Sequence, residues 1–245
     1  MIRQPARLAA LLLLATAAAF SQSAEVIVRR MEANQRFRTQ EAQVSLVITD
    51  RFGSRIKTFR SYAEGQERML LAFTNVEEKG QKILRLQQEI YLYFPDAEEV
   101  VRLQGAALKE SVMGSDFSYE DLTGEKSLLD LYEVRLAGSE NLEGRAQHLL
   151  ELKARARGVA YPAQKLWVDA EEYLPRRAEY YALSGRLLKT LEVLEVRRVA
   201  GRSVMSRAIM RDAMKKNSST EFRVEWVKLD EPLPKNIFSL EALSW

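Results

Sequence analysis

Cysteine is absent from the 245 residues, and histidine occurs once. Without cysteine there can be no disulfide, no thiolate zinc site, no iron–sulfur cluster and no cysteine nucleophile. A lipid attached through an N-terminal cysteine is excluded as well. One histidine removes most catalytic triads and any metal site that needs two imidazoles. Glycine (11) and proline (6) are sparse, and no Pro/Gly/Ser-rich linker divides the chain. P-loop, G-x-G-x-x-G and G-x-S-x-G runs are also missing. Neither sign of charge dominates, with 37 Lys+Arg against 34 Asp+Glu.

What is present, 47% hydrophobic and 29% charged residues, is the balance of a folded globular protein. Residues 1–24 stand apart. Arg3 and Arg7 make a basic start, Leu8 to Phe20 an apolar run, and Ser21 to Ala24 a small-residue end. That is the pattern of a secretory signal peptide, cleaved after Ser23 or Ala24, and the run is short for a membrane span. The expected organisation is a signal at 1–24 and one domain at 25–245, acting in the periplasm. Arg3 and Arg7 account for two of the three net positive charges, so the charge is no argument for nucleic acid. The local basic groups Arg197, Arg198, Arg202 and Lys215, Lys216 read as solvated turns and edges. A membrane-surface or partner contact is their functional alternative.

Beyond the leader, Glu25 to Phe37 carries Val26, Ile27, Arg30, Met31, Asn34 and Phe37 near a 3.6 spacing, which predicts a helix. The period then becomes two. Val44, Leu46 and Ile48 alternate with Ser45, Val47 and Thr49, and Ile56 to Ala63 can return after the Asp50–Ser54 turn. Strands are expected again from Met69 to Phe73, Ile83 to Leu86 and Glu89 to Phe94. Further ones follow at Leu131 to Leu136, Arg145 to Lys153, Ala163 to Asp169, Arg176 to Leu183, Leu187 to Val199 and Ser203 to Asp212. Thr220, Phe222, Val224 and Trp226 form the last alternation, before a Pro-rich turn and a helical tail at Phe238 to Leu243. Val100 to Leu122 reads as a short helix or a loop. Strands about ten residues apart, without long amphipathic helices between them, predict an antiparallel meander, sandwich or barrel.

The chemical inventory is thin. Asp116, Glu120, Asp121 and Glu125 form the one dense carboxylate group. It could serve acid–base hydrolysis or a hard cation, but reads first as an acidic surface loop with a capping aspartate. His148 shares a strand face with Leu150 and Leu152, as a packed histidine would. The residues Phe73, Phe94, Trp167, Tyr180, Tyr181, Met205, Met210, Met214, Phe222 and Trp226 fall in or beside predicted strands. They would fill a closed barrel or line the cavity of a partly open one.

The run Met113-Gly114-Ser115-Asp116-Phe117-Ser118-Tyr119-Glu120-Asp121-Leu122 resembles the outer-membrane lipoprotein-sorting protein family, the relatives of the periplasmic carrier LolA and its receptor LolB. Tyr161-Pro162, Lys165 to Asp169, Tyr173-Leu174-Pro175, Glu179-Tyr180-Tyr181, Gly185 to Thr190 and Phe238 to Leu243 follow in the family's order. The resemblance implies a mainly β (α+β) fold, a half-open antiparallel barrel with helices as a lid over an apolar cavity. It implies a non-enzymatic carrier of lipid or lipoprotein acyl chains, without cofactor or metal. An inner-membrane transporter of the resistance-nodulation-division or ABC type and an outer-membrane acceptor would be its partners. Missing cysteine suits the soluble carrier better than the receptor, itself a lipoprotein. Cavity candidates are Leu71, Phe73, Leu92, Phe94, Trp167, Tyr181, Met210, Phe222 and Trp226. Lid or partner-contact candidates are Leu108, Val112, Met113, Asp116, Phe117, Tyr119, Glu120 and Asp121. The family's lid-holding arginine could correspond to Arg51, Arg55 or Arg60. The alternative is a periplasmic adaptor that carries nothing and docks to an exporter through the acidic 116–125 loop.

Overall fold

The structure, a computed structural model, describes residues 23–124 and 127–244. The leader 1–22 and Glu125 lie outside the described residues. Ser23 caps the first helix, α1 (Ala24–Asn34), its hydroxyl accepting the Val26 amide. The chain then runs through two antiparallel meanders. The first comprises β1 (Thr39–Asp50), β2 (Gly53–Glu64), β3 (Arg68–Phe73), β4 (Lys82–Leu86), β5 (Glu89–Phe94) and β6 (Glu99–Leu103). In the second are β7 (Tyr132–Leu142), β8 (Arg145–Ala154), β9 (Ala163–Asp169), β10 (Pro175–Tyr181), β11 (Leu187–Val199), β12 (Arg202–Asp212) and β13 (Ser219–Leu229).

One 13-stranded sheet holds them all, in the order β6-β5-β4-β3-β2-β1-β13-β12-β11-β10-β9-β8-β7. Its one non-sequential pairing joins β1 to β13, from Gln40↔Leu229 to Thr49↔Ser219. β6 and β7 are edges that do not meet, so the barrel is open. Chain topology therefore forces residues 104–131 to travel from one edge of the sheet to the other. This crossing segment holds two 3₁₀ turns (Gly105–Lys109 and Val112–Gly114) and the short helices α2 (Tyr119–Thr123) and α3 (Leu128–Leu131). Val100, expected in the irregular stretch, belongs to β6, because its backbone pairs with Tyr93.

Apolar side chains collect on the inner face in two clusters. Val44, Leu46, Ile48, Phe59, Leu71, Phe73, Met210 and Val224 form one, into which the crossing segment inserts Val112 and Phe117. The other packs Ile27, Val28 and Met31 of α1 on Tyr132, Val134, Leu150, Leu152, Leu166 and Val168. The α1 stripe thus runs Ala24–Ile27–Val28–Met31, and Val26, expected inside, is exposed. Spacings of three, four and seven put the first set on one side of the helix, and Val26 falls off it.

A third cluster lies on the outer face, where Leu243 is buried against Leu70, Leu84 and Tyr93. The tail expected to be helical from Phe238 makes only a 3₁₀ turn, Glu241–Leu243. Ile237, Phe238 and Leu243 reach the sheet as separate anchors, and Lys82 Nζ donates to the carbonyls of Ala242 and Leu243, each at 2.9 Å. Six residues are too few to support a helix against those contacts.

The turn from β9 to β10 is organised by the buried Asp169. Its carboxylate accepts the Glu171 and Glu172 amides at 3.0 and 2.9 Å and Arg145 Nε at 2.6 Å. Burial pushes its pKa up, but Arg145 and the two amides outweigh burial and lower it from 3.8 to about 2. A lowered carboxylate pKa contributes stability above the unfolded value, and that stability is lost as pH falls through the folded one. Loss of about 2 kcal/mol is therefore expected as pH drops from 3.8 towards about 2. Denaturant titrations across that window should show it in the parent and a flatter profile in Asp169→Asn. Equal slopes in both would refute the assignment.

Candidate functional site

The crossing segment does not lie flat on the sheet. Beneath it is a cavity of about 510 Å³, lined by Val44, Phe59, Leu71, Phe117, Leu122, Leu191, Met210, Phe222 and Val224 among others. A second space of about 410 Å³ adjoins it and shares Phe37, Gln40, Met69, Gly124, Leu128, Gln164, Tyr180 and Leu191 as walls. Together they run from the inner sheet face to the loop after α1. Each volume is within the range of about 300–1,000 Å³ usual for ligand pockets. The first space is mainly apolar but has polar walls such as Gln40, Ser61 and Gln164, and the second adds Glu32, Arg68 and Arg85. Glu120 is the notable polar wall of the first, its Oε2 buried without a hydrogen-bond partner among the described residues. Desolvation raises its pKa, Lys109 draws it down and Asp121 adds to the rise.

The acidic run after Met113 is what fastens the lid. Met113 and Gly114 both have positive φ, 51° and 71°, a region glycine enters freely and other residues rarely. Their turn presents the Gly114 carbonyl to Arg55 Nη2 at 3.3 Å, while Arg55 Nη1 donates to Asp50 at 2.6 Å. Of the three arginines that could hold the lid, Arg55 is the one with this contact; Arg51 lies over Phe52, and Arg60 over Trp226. Ser115 Oγ accepts the Phe117 amide, tightening the bend at 3.2 Å.

Asp116 then enters the interior, where only 1% of it is exposed. Its amide donates to Thr220 Oγ1 (2.8 Å), whose hydroxyl donates back to the carboxylate (2.8 Å). Ser218 Oγ donates to the other carboxylate oxygen at 2.7 Å, and Lys215 Nζ is 3.7 Å away. Phe117 reaches the core beside Phe222, ring centroids 6.1 Å apart.

Ser118 starts α2. Its hydroxyl accepts the Asp121 amide (3.1 Å), and Asp121 accepts the Ser118 amide (2.8 Å), a reciprocal capping box. The same Asp121 carboxylate accepts the Tyr161 hydroxyl (2.9 Å) and Lys189 Nζ (2.9 Å). Burial and that carboxylate raise the Tyr161 pKa, keeping the phenol a donor. Past α2, Arg85 donates to the carbonyls of Thr123, Gln66 and Gln87. The lid is thus tied down by Arg55, by Asp116 and by Asp121 with Arg85.

Lid candidates from the sequence fall as follows. Val112 and Phe117 are core; Leu108, Met113 and Tyr119 pack on it half-buried. Asp116 and Asp121 are used inside the molecule, which corrects the expectation of an acidic surface loop open to a partner or to catalysis. Of the cavity candidates, Leu71, Met210 and Phe222 line the space. Phe73 and Leu92 are buried in the same cluster and Phe94 packs on it, away from the cavity walls.

Trp167, Tyr181 and Trp226 are turned the other way. Trp167 donates to Glu140 (2.7 Å) under the Arg177 guanidinium, and Tyr181 bonds Glu179. Alternation places Gln164 and Leu166, and Tyr180, on the inner face instead. Trp226 is displaced by a bulge at Glu225. Val224 faces Val44 but Trp226 faces Gln43, so the alternation reverses between them. His148 is half-buried near Tyr173. Among the described residues no cluster of acidic or histidine side chains could hold a metal, and no helix is long and apolar enough to cross a membrane.

An open antiparallel half-barrel, closed by a crossing segment over an apolar cavity, defines the LolA-like fold class. The solved structures agree. A DUF1329 family protein from Desulfovibrio piger superposes with a TM-score of 0.84 at 22% identity, covering 91% of this chain and 100% of that one. An outer membrane lipoprotein-sorting protein domain from Vibrio parahaemolyticus gives 0.83 at 21%, covering 91% and 98%. A LolA superfamily protein from Nitrosomonas europaea gives 0.76 at 23%, covering 91% and 100%. Residues 65–245 match the model of a family described as "Uncharacterized protein", and the chain belongs to that family. No curated protein matches the sequence.

Proposed function

We propose that residues 25–245 form a periplasmic carrier that shields lipid or lipoprotein acyl chains in the cavity under the crossing segment. The observation that carries this reading is the cavity itself, walled by Phe59, Leu71, Phe117, Met210, Phe222 and Val224. Each exposed methylene of an acyl chain costs about 0.8 kcal/mol in water, and a concave apolar wall offsets that cost. Asp121, Tyr161 and Lys189 form a polar seam that closes without burying bare charge and can part without breaking the sheet. No catalytic step is assigned, because Asp116 and Asp121 are engaged with internal donors. The signal-like leader supports action outside the cytoplasm, and the name of the Vibrio parahaemolyticus structure, an outer membrane lipoprotein-sorting protein domain, supports delivery towards an outer-membrane acceptor; loading at an inner-membrane transporter belongs to the same proposal.

Native mass spectrometry of protein recovered from the periplasm tests the carrier reading. Bound lipid is expected, along with uptake of a fluorescent fatty acid. Met210→Trp, which fills the cavity, should reduce uptake at least tenfold. Trp226→Ala, on the outer face, should leave it unchanged. An apo mass together with no uptake by the parent would defeat the proposal.

A further inference from the structure

The two ends of the sheet differ in a way the cavity does not explain. Six hairpin turns lie at one end, and four of them, β1–β2, β3–β4, β10–β11 and β12–β13, are neighbours; the outer two, β5–β6 and β8–β9, expose no large apolar side chain. Register places the four side by side, since Thr49 pairs with Ser219, Thr58 bonds Thr74 and Lys189 pairs with Asp212. Each of the four neighbouring turns lifts one large apolar side chain into solvent. Phe52 is 81% exposed, Val76 93%, Leu183 90% and Met214 53%, with Ile56 beside the first at 57%. Turns at the opposite end, Gly65–Glu67, Gln87–Gln88, Glu143–Gly144 and Ala200–Gly201, expose no large apolar side chain. An isolated exposed leucine needs no explanation. Four such residues in four neighbouring turns, and none in the turns opposite, do need one.

Charge at the same end selects the partner. Arg51, Lys79, Arg186, Lys215 and Lys216 are exposed in or beside these turns. Most of the acidic residues there have internal partners, although Glu77 and Glu78 share a single lysine. Asp50 holds Arg55, Glu77 and Glu78 hold Lys57, and Asp212 accepts the Met214 amide. The Arg51 guanidinium lies 4.5 Å from the Phe52 ring centroid, so cation and aromatic face share one tip. Asp96 and Glu98, in the β5–β6 turn, bound the basic stretch at one side. Neighbouring strands are about 4.8 Å apart, which spaces successive tips by about 10 Å along the rim. Single apolar side chains at that spacing present no contiguous apolar core of the kind that marks a stable protein interface. They can each enter the interface of a bilayer while the cations meet lipid phosphates.

We propose that this rim is a docking surface for an anionic lipid bilayer, with Phe52, Val76, Leu183 and Met214 inserting and Arg51, Arg186 and Lys216 meeting headgroups. It goes beyond the carrier reading and stands whatever the cavity holds. The lid's Gly114–Asp116 turn hangs from the same rim through Arg55 and Lys215, so docking would place the cavity's fastening at the membrane.

Cosedimentation of the processed protein with vesicles tests it, using phosphatidylglycerol mixed with phosphatidylethanolamine against phosphatidylcholine alone. Preferential binding to the anionic vesicles, weakened by salt, is expected. Phe52→Ser with Leu183→Ser should lower the partition coefficient about tenfold or more, and Arg51→Glu with Lys216→Glu should do the same. Gln88→Ser, in an opposite turn, should have no effect, and circular dichroism melts should confirm that all variants fold. Absence of vesicle binding by the parent, equal binding to both lipids, or undiminished binding by folded tip variants would each overturn the proposal. Rim-dependent capture of a membrane protein without lipid binding would overturn it in favour of a protein partner.

Discussion

Phe117→Ala is expected to destabilise the fold by about 3–4 kcal/mol, the range for truncating a buried aromatic side chain. Phe117 is the aromatic side chain that the crossing segment buries in the main cluster, where it meets Phe222, while Tyr119 packs on that cluster half-buried. The cost should be local as well as global. With that anchor removed, residues 112–123 keep their polar ties and the Val112 contact but lose their largest buried apolar side chain. Hydrogen exchange should rise first there, ahead of β1 and β13, and denaturant unfolding should report the global loss. A stability change within about 0.5 kcal/mol, the scale of an ordinary surface substitution, would mean that the segment is not anchored through this ring.

Asp116→Ala should have an effect of similar size, about 3–5 kcal/mol, for a different reason. The carboxylate is almost fully buried and satisfies Thr220 and Ser218, with Lys215 nearby. Removing it strands those donors, and a buried donor left without its partner costs more than the bond contributed. A double-mutant cycle separates this from simple loss of packing. Thr220→Val should be costly in the parent and much cheaper in Asp116→Ala, because the shared bonds are already gone. Strict additivity of the two changes would show that Asp116 and Thr220 do not act as a pair.

Most of the strand pattern was legible because a half-buried antiparallel strand writes its burial into a two-residue period. Val44–Leu46–Ile48 and Thr220–Phe222–Val224 are clear instances. Trp226 shows where that legibility stops. A bulge at Glu225 inserts one residue, and no side chain nearby announces it, so an unbroken alternation ends on the wrong face. Tyr180 and Tyr181 are a subtler case, as two adjacent tyrosines carry no parity of their own and only the pairing partner decides. The acidic run misled in the opposite direction. Four carboxylates in ten residues resemble a solvated loop, whereas Asp116 and Asp121 are the lid's internal acceptors. Their partners, Thr220, Ser218, Tyr161 and Lys189, lie far away in sequence. Only the Ser118–Asp121 capping spacing was readable in place, and that spacing marks the start of α2. Family resemblance, not periodicity, supplied the idea of a lid.

The pairing of β1 with β13 also governs how the molecule can be made. Every other ladder in the sheet joins strands that follow one another along the chain, so each meander can assemble as its residues emerge. β1 alone must wait for the last strand, and the long loop between them adds an entropic cost to their meeting. Until β13 arrives, β1 is an uncovered strand edge with Val44, Leu46 and Ile48 on one side, the kind of surface on which unfinished chains associate. Because the molecule is closed by its C-terminal strand, the moment of greatest danger in its biogenesis falls between completion of the first meander and delivery of residues 219–229.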